Sequence, residues 1–163
     1  MTVKRLKDFL ERERVKYTTI EHSPAYTARE TAQTARVRVK DFAKAVIVKV
    51  DGRLAMAVLP ASEKLDLARL KKETGAKNVH LAPESEFDRL FPGCEAGAMP
   101  PFGNLYGLEV YVASSLAADD QIAFNAGSHV ELVRMAYKDF DRLVQPLVLA
   151  FSAASMPESK VEA

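Results

Sequence analysis

The sequence predicts one α/β domain built on a mixed, mainly antiparallel β-sheet that is flanked by helices. Predicted strands outnumber predicted helices, and most connections are too short for the crossover that joins parallel strands. The chain has 163 residues, of which 48% are hydrophobic and 28% are charged. That length and composition are typical of one globular domain with a buried core. No internal repeat divides the sequence.

The first elements are a helix, a strand and a second helix. Apolar residues at helical spacing predict a first helix of about three turns, and they are Val3, Leu6, Phe9 and Leu10. Residues 15–21 carry β-branched and aromatic side chains and predict a strand. Thr27 followed by Glu30 forms a capping-box pattern, which predicts the start of the second helix.

The clearest local signal is a β-hairpin. Residues 45–50 predict a strand, the pair Asp51-Gly52 predicts a type I′ turn, and residues 54–59 predict the returning strand. Pro60 is expected to end it, since proline cannot donate a ladder hydrogen bond.

The second half of the chain continues with helices and strands. Asp66 is predicted to cap a helix that stops at Gly75. Pro83 is predicted at the first position of another helix, over residues 83–91. The remaining predicted elements are strands over residues 79–81, 108–112, 121–125 and 130–135, and a last helix near residues 138–144. Small and polar residues follow, so we expect a domain over residues 1–151 and a flexible tail over 152–163.

Composition excludes several classes of protein. No apolar run approaches the ~20 residues that span a bilayer, and the charged N-terminus lacks the apolar core of a secretory signal. The single cysteine, Cys94, excludes an internal disulfide framework. The three histidines show no metal-ligand spacing, so no metal or cofactor is predicted. We expect a cytoplasmic protein without a membrane partner.

The net charge limits the kind of nucleic-acid contact that is expected. The formal net charge is +1, which argues against a protein that grips a long nucleic acid by electrostatics alone. Basic residues cluster at residues 4–7, 12–16 and 36–40, and solvated faces are the simplest interpretation of each cluster. A small contact with the end of a nucleic acid is compatible with this charge.

Lys44 is the first candidate functional residue. Strand alternation places it on the same face as Val46, Val48 and Val50, which predicts a core face with Lys44 at its entrance. Two readings stay open. The lysine extends its ammonium to solvent, or it places a cation at the mouth of a pocket, where it can hold an anionic or carbonyl group.

The second candidate is the glycine- and proline-rich stretch within residues 92–107. Glycine leaves backbone N–H groups open to close approach, and such donors can stabilise the oxyanion formed in ester hydrolysis. The alternative is a rigid surface loop. A phosphate-binding P-loop is excluded because no Gly-Lys-Ser/Thr ending is present.

The third candidate is the predicted turn over residues 125–129. Asn125 and Gly127 are natural turn residues, and His129 is either a general base or a polar pocket wall. Ser128 makes no catalytic triad with His129, because neighbours on a strand point to opposite faces. Nothing adjacent to Cys94 in the sequence would lower its pKa, so we interpret it as a bystander.

In this order and spacing the chain resembles the YbaK/EbsC family of aminoacyl-tRNA deacylases, which is related to the editing domain of bacterial prolyl-tRNA synthetases. The resemblance covers residues 3–145. The matching stretches are Glu21-His22-Ser23-Pro24-Ala25-Tyr26-Thr27, Ala43-Lys44-Ala45-Val46-Ile47-Val48, Ala57-Val58-Leu59-Pro60, Leu65-Asp66-Leu67, Gly97-Ala98-Met99-Pro100-Pro101-Phe102-Gly103 and Asn125-Ala126-Gly127-Ser128-His129.

The resemblance implies a YbaK-like fold and metal-free hydrolysis of the ester in mischarged tRNA. It implies that Lys44 contacts the terminal nucleotide and aminoacyl group, that the Gly97 loop positions the ester, and that a water attacks the carbonyl with assistance from the ribose hydroxyl of the substrate. The implied partner is the 3′ end of an aminoacyl-tRNA, and the net charge of +1 suggests a weak grip on tRNA and hence recruitment by an aminoacyl-tRNA synthetase. Many members have Asn, Ser or Thr where this chain has Ala45, which weighs against the alanine-specific branch.

The candidate site combines these residues, and a competing hypothesis stands beside it. The predicted catalytic residues are Lys44 and Gly97, and the predicted substrate-contacting residues are Ala45, Ala98, Met99, Pro100, Pro101, Gly103, Asn125, Gly127 and His129. Small or apolar walls predict a preference for alanine, serine, threonine or cysteine esters. The alternative is a non-catalytic module of the same fold that binds tRNA or a synthetase. An unrelated esterase is a distant third, since no G-x-S-x-G elbow is present.

Overall fold

The computed structural model describes residues 3–154. The helices are α1 (Lys4–Arg12), α2 (Ala28–Thr34), α3 (Leu67–Thr74), α4 (Ser114–Ala117) and α5 (Tyr137–Val144). The strands are β1 (Tyr17–Glu21), β2 (Phe42–Val50), β3 (Arg53–Pro60), β4 (Glu63–Leu65), β5 (Val79–Leu81), β6 (Glu109–Ala113), β7 (Gln121–Asn125), β8 (Glu131–Ala136), β9 (Leu147–Leu149) and β10 (Ser152–Ala154).

An eight-stranded mixed sheet forms the centre of the fold. Its strand order is β1-β8-β7-β2-β3-β6-β9, and β5 pairs with β2 beside this path. The pairs β2–β7, β3–β6 and β6–β9 are parallel, and the other pairs of the sheet are antiparallel. A separate antiparallel pair joins β4 to β10. The predicted fold class is confirmed.

Both faces of the sheet are buried, because apolar residues occupy both sides of β2. Ile47 belongs to the largest core cluster, together with Leu6 of α1 and Phe140 of α5. Val48, on the opposite face, packs in a second cluster with Leu70 of α3. A third cluster lies around α2. The predicted alternation along β2 is correct, but the valine face is one of two core faces and carries the smaller cluster.

The hairpin and the helix caps follow the local sequence signals. β2 and β3 pair antiparallel, and both turn residues have positive φ, 50° at Asp51 and 83° at Gly52, as a type I′ turn requires. The Thr27 side chain accepts a hydrogen bond from the Glu30 N–H at 3.0 Å and so caps α2. Asp66 caps α3, and Gly75 ends it with φ 71°.

Several predicted elements need correction. Residues 83–91 form two short 3₁₀ turns rather than an α-helix, because Phe87 has φ −132° and lies outside the helical region. Four short elements, α4, β4, β9 and β10, carry no local signal and were not predicted. The predicted tail starts too early, since β10 pairs with β4 over residues 152–154. The rest of that tail lies outside the described residues.

The edge of β2 that faces away from β3 contains a gap. β7 pairs with the beginning of β2 at Phe42 and Ala43, and β5 pairs with its end from Val48 to Val50. The Ile47 carbonyl accepts a hydrogen bond from the Ala82 N–H at 3.0 Å, so the backbone groups of Ile47 point toward this edge. Because strand residues alternate, the N–H and C=O of Ala45 point the same way, between the two partner strands. The gap therefore exposes the backbone of a central strand.

A half-buried pair of carboxyl groups lies where the chain enters β2. Asp41 accepts a hydrogen bond from Arg38 at 2.7 Å, and the Lys40 ammonium lies 3.9 Å from a carboxyl oxygen of Asp119. Burial raises the pKa of Asp119 to about 6, and the nearby Asp41 carboxylate adds to the rise against the effect of Lys40. Asp119 therefore holds its proton more tightly in the folded than in the unfolded chain.

We expect Asp119→Asn to stabilise the fold near neutral pH. When folding raises the pKa of a carboxyl group, the folded protein loses stability as pH rises from the ordinary pKa of that group, near 4, through its folded pKa of about 6. The amide keeps a hydrogen-bonding group beside Asp41 without the charge. The melting temperature of the variant should exceed that of the wild type by a few degrees at pH 7.5, and the difference should vanish at pH 4. Asp120→Asn, at an exposed neighbour, is the control and should change neither value. A variant less stable than the wild type at pH 7.5 would contradict this prediction.

Candidate active site

A cavity of about 420 Å³ opens beside the gap in β2. Its volume lies in the range of ~300–1,000 Å³ that is usual for small-ligand sites. Residues 45–47 of β2 form one wall, residues 81–91 form another, and the loop over residues 94–99 forms the third. Of the predicted site residues, Ala45, Gly97 and Met99 line this cavity.

Gly97 presents its backbone to the cavity. It is exposed and has φ 80°, a conformation that residues with a Cβ rarely adopt. Within residues 3–154, nothing accepts a hydrogen bond from its N–H. Two backbone hydrogen bonds to Gly127 hold the loop over residues 94–99 in place. The Glu95 N–H donates to the Gly127 carbonyl at 2.7 Å, and the Gly127 N–H donates to the Ala98 carbonyl at 3.0 Å. Gly97 therefore lies at the cavity wall on a loop held by hydrogen bonds, and its N–H is an unpaired donor among the described residues.

His129 lies directly behind this loop. Its Nε2 is 2.7 Å from the Ala96 carbonyl oxygen, and its Cε1 is 3.7 Å from the place that a Cβ on Gly97 would take. A carbonyl only accepts, so Nε2 carries the proton, and in the neutral ring Nδ1 is the acceptor. Nδ1 is buried and has no hydrogen-bond partner among the residues described. The backbone N–H of His129 donates to Glu95 Oε1 at 2.6 Å. The geometry makes His129 a support for the Gly97 loop.

His129→Ala should lower kcat about tenfold or less, because it loosens the loop without removing the donor from the site. His129→Gln should recover most of the loss, since the Gln amide can replace the Nε2–H donor to the Ala96 carbonyl. Single-turnover hydrolysis of the aminoacyl-tRNA ester that the family resemblance implies, at saturating enzyme, measures the effect. A complete loss in both variants, with unchanged circular dichroism, would instead mark His129 as the catalytic base.

Tyr26 covers His129 from the solvent side. Its ring lies 4.8 Å from the imidazole, and 72% of the residue is exposed, a large value for an aromatic side chain. Tyr26 is not among the predicted site residues, although it falls within the first matching stretch. An exposed aromatic ring is a surface on which a planar ligand can stack.

Lys44 does not line the cavity. Its side chain leaves β2 on the face opposite to Ala45 and Ile47 and is half-buried. Burial lowers the pKa of Lys44, and the nearby Arg29 and Lys64 lower it further, against the opposing charge of Glu63. No ion pair or hydrogen bond of the Lys44 ammonium is found within the described part of the chain. The structure therefore gives a cluster of three cations, Lys44, Arg29 and Lys64, with one carboxylate, Glu63, around the side chain that Lys44 extends from the sheet face opposite to the Ala45 side chain.

Asn125 ends β7 next to this cluster. The last paired residues, Ala43 and Phe124, are followed by Lys44 and Asn125, so continuing the register places the two side chains on one face. The Asn125 Oδ1 atom is buried and has no partner among the described residues. An unpaired buried amide oxygen beside a lysine is available to a ligand.

Five of the predicted contact residues are buried and do not line the cavity. They are Ala98, Pro100, Pro101, Gly103 and Gly127. A Cβ on Gly103 would come within 2.9 Å of Val110, and one on Gly127 within 3.0 Å of Val3. In this conformation these residues shape the loop by close packing, and Ala96 and Gly97 reach water, with Met99 half-buried.

Carboxylates and a thiol complete the cavity lining. Glu84, Asp88 and Glu95 bring three acidic side chains to it. Cys94 also lines it, and burial raises the pKa of its thiol, which disfavours the nucleophilic thiolate. Residues 3–154 contain no group of three or more His, Cys, Asp or Glu side chains that could hold a metal ion. Within the same residues no helix is long and apolar enough to cross a membrane.

Comparison with known proteins places these features in a family. Residues 22–143 match the family model of the aminoacyl-tRNA editing domain. The chain is 31% identical over 157 residues to the multifunctional Ser/Thr-tRNA deacylase ProXp-y of Escherichia coli K12, and the match covers 93% of each protein. It is 25% identical over 149 residues to the prolyl-tRNA editing protein ProX of Acetoanaerobium sticklandii, covering 88% of this chain and 90% of that protein.

Solved structures share the fold. A proposed trans-editing enzyme for prolyl-tRNA synthetase superposes with a TM-score of 0.76 at 22% identity, covering 93% of this chain and 96% of that one. A hypothetical protein superposes with a TM-score of 0.81 at 20% identity, covering 92% of this chain and all of that one. At these identities the likeness establishes the architecture.

Proposed function

The chain belongs to the aminoacyl-tRNA editing domain family and is an aminoacyl-tRNA deacylase, and we propose that it removes small amino acids from mischarged tRNA. The observation that carries this proposal is the cavity at the gap in β2, where backbone groups of Ala45 and Gly97 face a space of ligand size. Both of its expected partners, tRNA and a synthetase that recruits it, would be met in the cytoplasm.

In the proposed reaction a water attacks the ester carbonyl carbon. The carbonyl oxygen becomes an oxyanion, which accepts hydrogen bonds from the Gly97 N–H and the Ala45 N–H. The bond between the carbonyl carbon and the ribose oxygen then breaks, and the proton given up by the attacking water passes, through the neighbouring ribose hydroxyl of the substrate, to the departing ribose oxygen. The products are the free amino acid and a tRNA with a free ribose hydroxyl. Nucleophilic catalysis by Cys94 is disfavoured by its raised pKa.

The charge distribution supports one orientation of the substrate. An aminoacyl ester carries a positive α-ammonium, and Glu84 and Asp88 of the cavity supply negative charge for it. The terminal nucleotide carries a negative phosphate, and Lys44 with Arg29 and Lys64 supplies positive charge on the other side of the gap. The ester then lies between the two, at Ala45 and Gly97. In this arrangement Lys44 binds the terminal nucleotide so that the ester is positioned at Ala45 and Gly97.

The side-chain preference is tested with a panel of charged tRNAs. Ala45, Val46 and Met99 line the cavity, and steric exclusion separates substrates more strongly than added apolar contacts do. At one substrate concentration we expect seryl-, threonyl-, alanyl- or cysteinyl-tRNA to be deacylated fastest and phenylalanyl-tRNA to be spared. Fastest hydrolysis of the phenylalanyl ester would contradict the small-pocket proposal. Retained tRNA binding with no hydrolysis across the panel would favour the non-catalytic module.

A further inference from the structure

We propose that a basic groove at the far end of the β7–β8 pair binds the phosphates of the tRNA acceptor arm. The basic groove is defined by Arg14, Lys16, Arg134, Lys138 and Arg142 and encloses about 700 Å³. This inference rests on the proposed function, since it assigns a second contact to the same substrate.

Positive charge is concentrated in this groove. The whole chain has 23 Lys and Arg against 22 Asp and Glu, whereas the groove has five cationic side chains and one carboxylate, Asp139. Asp139 is paired with Arg142 at 3.5 Å. Within residues 3–154, Lys16, Arg134 and Lys138 have no ion pair. Their charge is therefore available to an anionic partner, although the net charge of the whole chain, +1, does not reveal this local excess.

The chemistry of the lining fits a nucleic-acid backbone. Tyr17, Thr18 and Gln121 add hydrogen-bonding side chains between the cations. Phosphate contacts in nucleic-acid complexes come from Arg and Lys together with such polar groups, and they do not depend on base sequence. A surface for an acidic protein would instead be expected to include a larger apolar centre.

The groove lies about one strand length from the candidate active site. Gln121 lines the groove and Asn125 lies at the active site, at the two ends of β7. Four residues of strand span about 13 Å at a rise of about 3.3 Å per residue. Arg134 pairs with Ala123, so it lies on the same sheet face as Lys44. A tRNA whose terminal ester occupies the cavity can therefore bring the phosphates of preceding nucleotides to the groove.

The test compares two charge-reversal variants of the whole protein. Lys16→Glu/Lys138→Glu changes the groove, and Lys72→Glu/Lys77→Glu makes the same charge change at exposed positions in and after α3. Each is assayed on the aminoacyl-tRNA that the wild type hydrolyses fastest and on the same ester of a CCA trinucleotide, which carries no acceptor-stem phosphates. The groove variant should raise KM for the full tRNA about tenfold with kcat unchanged, and weaken the salt dependence of log kcat/KM by about 1–2 in slope. Both variants should match the wild type on the trinucleotide.

Two results would overturn the proposal. The first is an equal KM for the groove variant and the α3 variant on full tRNA, which would also be the outcome if the groove binds an acidic protein. The second is an equal loss on tRNA and trinucleotide, which would mean damage to the active site. If the wild type hydrolyses none of the esters, the proposed function fails, and the groove is then judged by binding of uncharged tRNA. Fluorescence anisotropy should show weaker binding for the groove variant alone, and equal binding for both would reject it.

Discussion

Lys44→Ala is expected to reduce deacylation at least about 100-fold, the size of effect seen when a charge-stabilising group is lost from an active site. The half-buried Lys44 ammonium has no ion pair within the described residues and lies beside Arg29 and Lys64, so an anionic group of the substrate is its natural partner. Lys44→Arg should also be impaired, because a planar guanidinium does not occupy the space of an ammonium. Rates of ester hydrolysis at saturating tRNA check the prediction.

Removing the charge of Lys44 while keeping its apolar stem should leave the fold intact or slightly more stable. Folding lowers the pKa of Lys44, so the charged lysine costs stability at neutral pH, and this cost is relieved as pH rises through the folded pKa. Lys44→Met keeps the apolar stem, so its melting temperature at pH 7 should equal or exceed that of the wild type. Lys49→Ala, in the same strand but paired with Glu86 at 2.8 Å, is the matched control and should retain activity. Normal turnover in Lys44→Ala would remove the residue from the mechanism.

Gly97→Val is expected to lower kcat about 100-fold, the usual effect of losing one oxyanion donor. At φ 80° a β-branched residue is strained, so the loop should rearrange and carry its N–H away from the ester. A Cβ would stand 3.7 Å from His129, an ordinary contact, so the effect comes from the backbone and not from a clash. Pre-steady-state deacylation should show the loss in the chemical step.

Gly75→Val is the matched control for Gly97→Val. Gly75 ends α3 with φ 71° and has nothing within 4 Å of the position that a Cβ would take, so valine there meets a similar backbone strain far from the cavity. Both variants should melt at a lower temperature than the wild type, but only Gly97→Val should lose turnover. Full activity in Gly97→Val would mean that its loop is purely structural.

The elements that the sequence predicted correctly are those set by neighbouring residues. The turn at Asp51 and Gly52, the cap at Thr27 and the stop at Gly75 each depend on side chains within four residues. The prediction of a helix over residues 83–91 was wrong because their apolar spacing suits a helix, whereas Phe87 and Phe91 pack against the core and the helical conformation is interrupted at Phe87. Tertiary contacts decided the conformation there.

The site was predicted in part for the same reason. The sequence identified the Gly97 loop by composition, and its positive φ agrees with the need for glycine. It could not reveal the exposed backbone of Ala45, because that depends on which strands end beside β2. It also grouped Lys44 with the pocket walls, and this grouping stays a prediction, since Lys44 and Ala45 are neighbours in β2 whose side chains leave the strand on opposite faces. Which backbone groups are exposed depends on the pairing of strands that are distant in the sequence, and local sequence patterns do not show that pairing.

The gap in β2 has a consequence for how this family can diversify. In the proposed site Ala45 offers its backbone N–H to the ester, while its side chain forms part of the cavity wall. A mutation there alters the shape of the wall and leaves the peptide group where it was. A single substitution at this position can therefore change the amino-acid preference while the enzyme stays active. Evolution can retune such an enzyme toward a different charging error without first giving up its catalytic power.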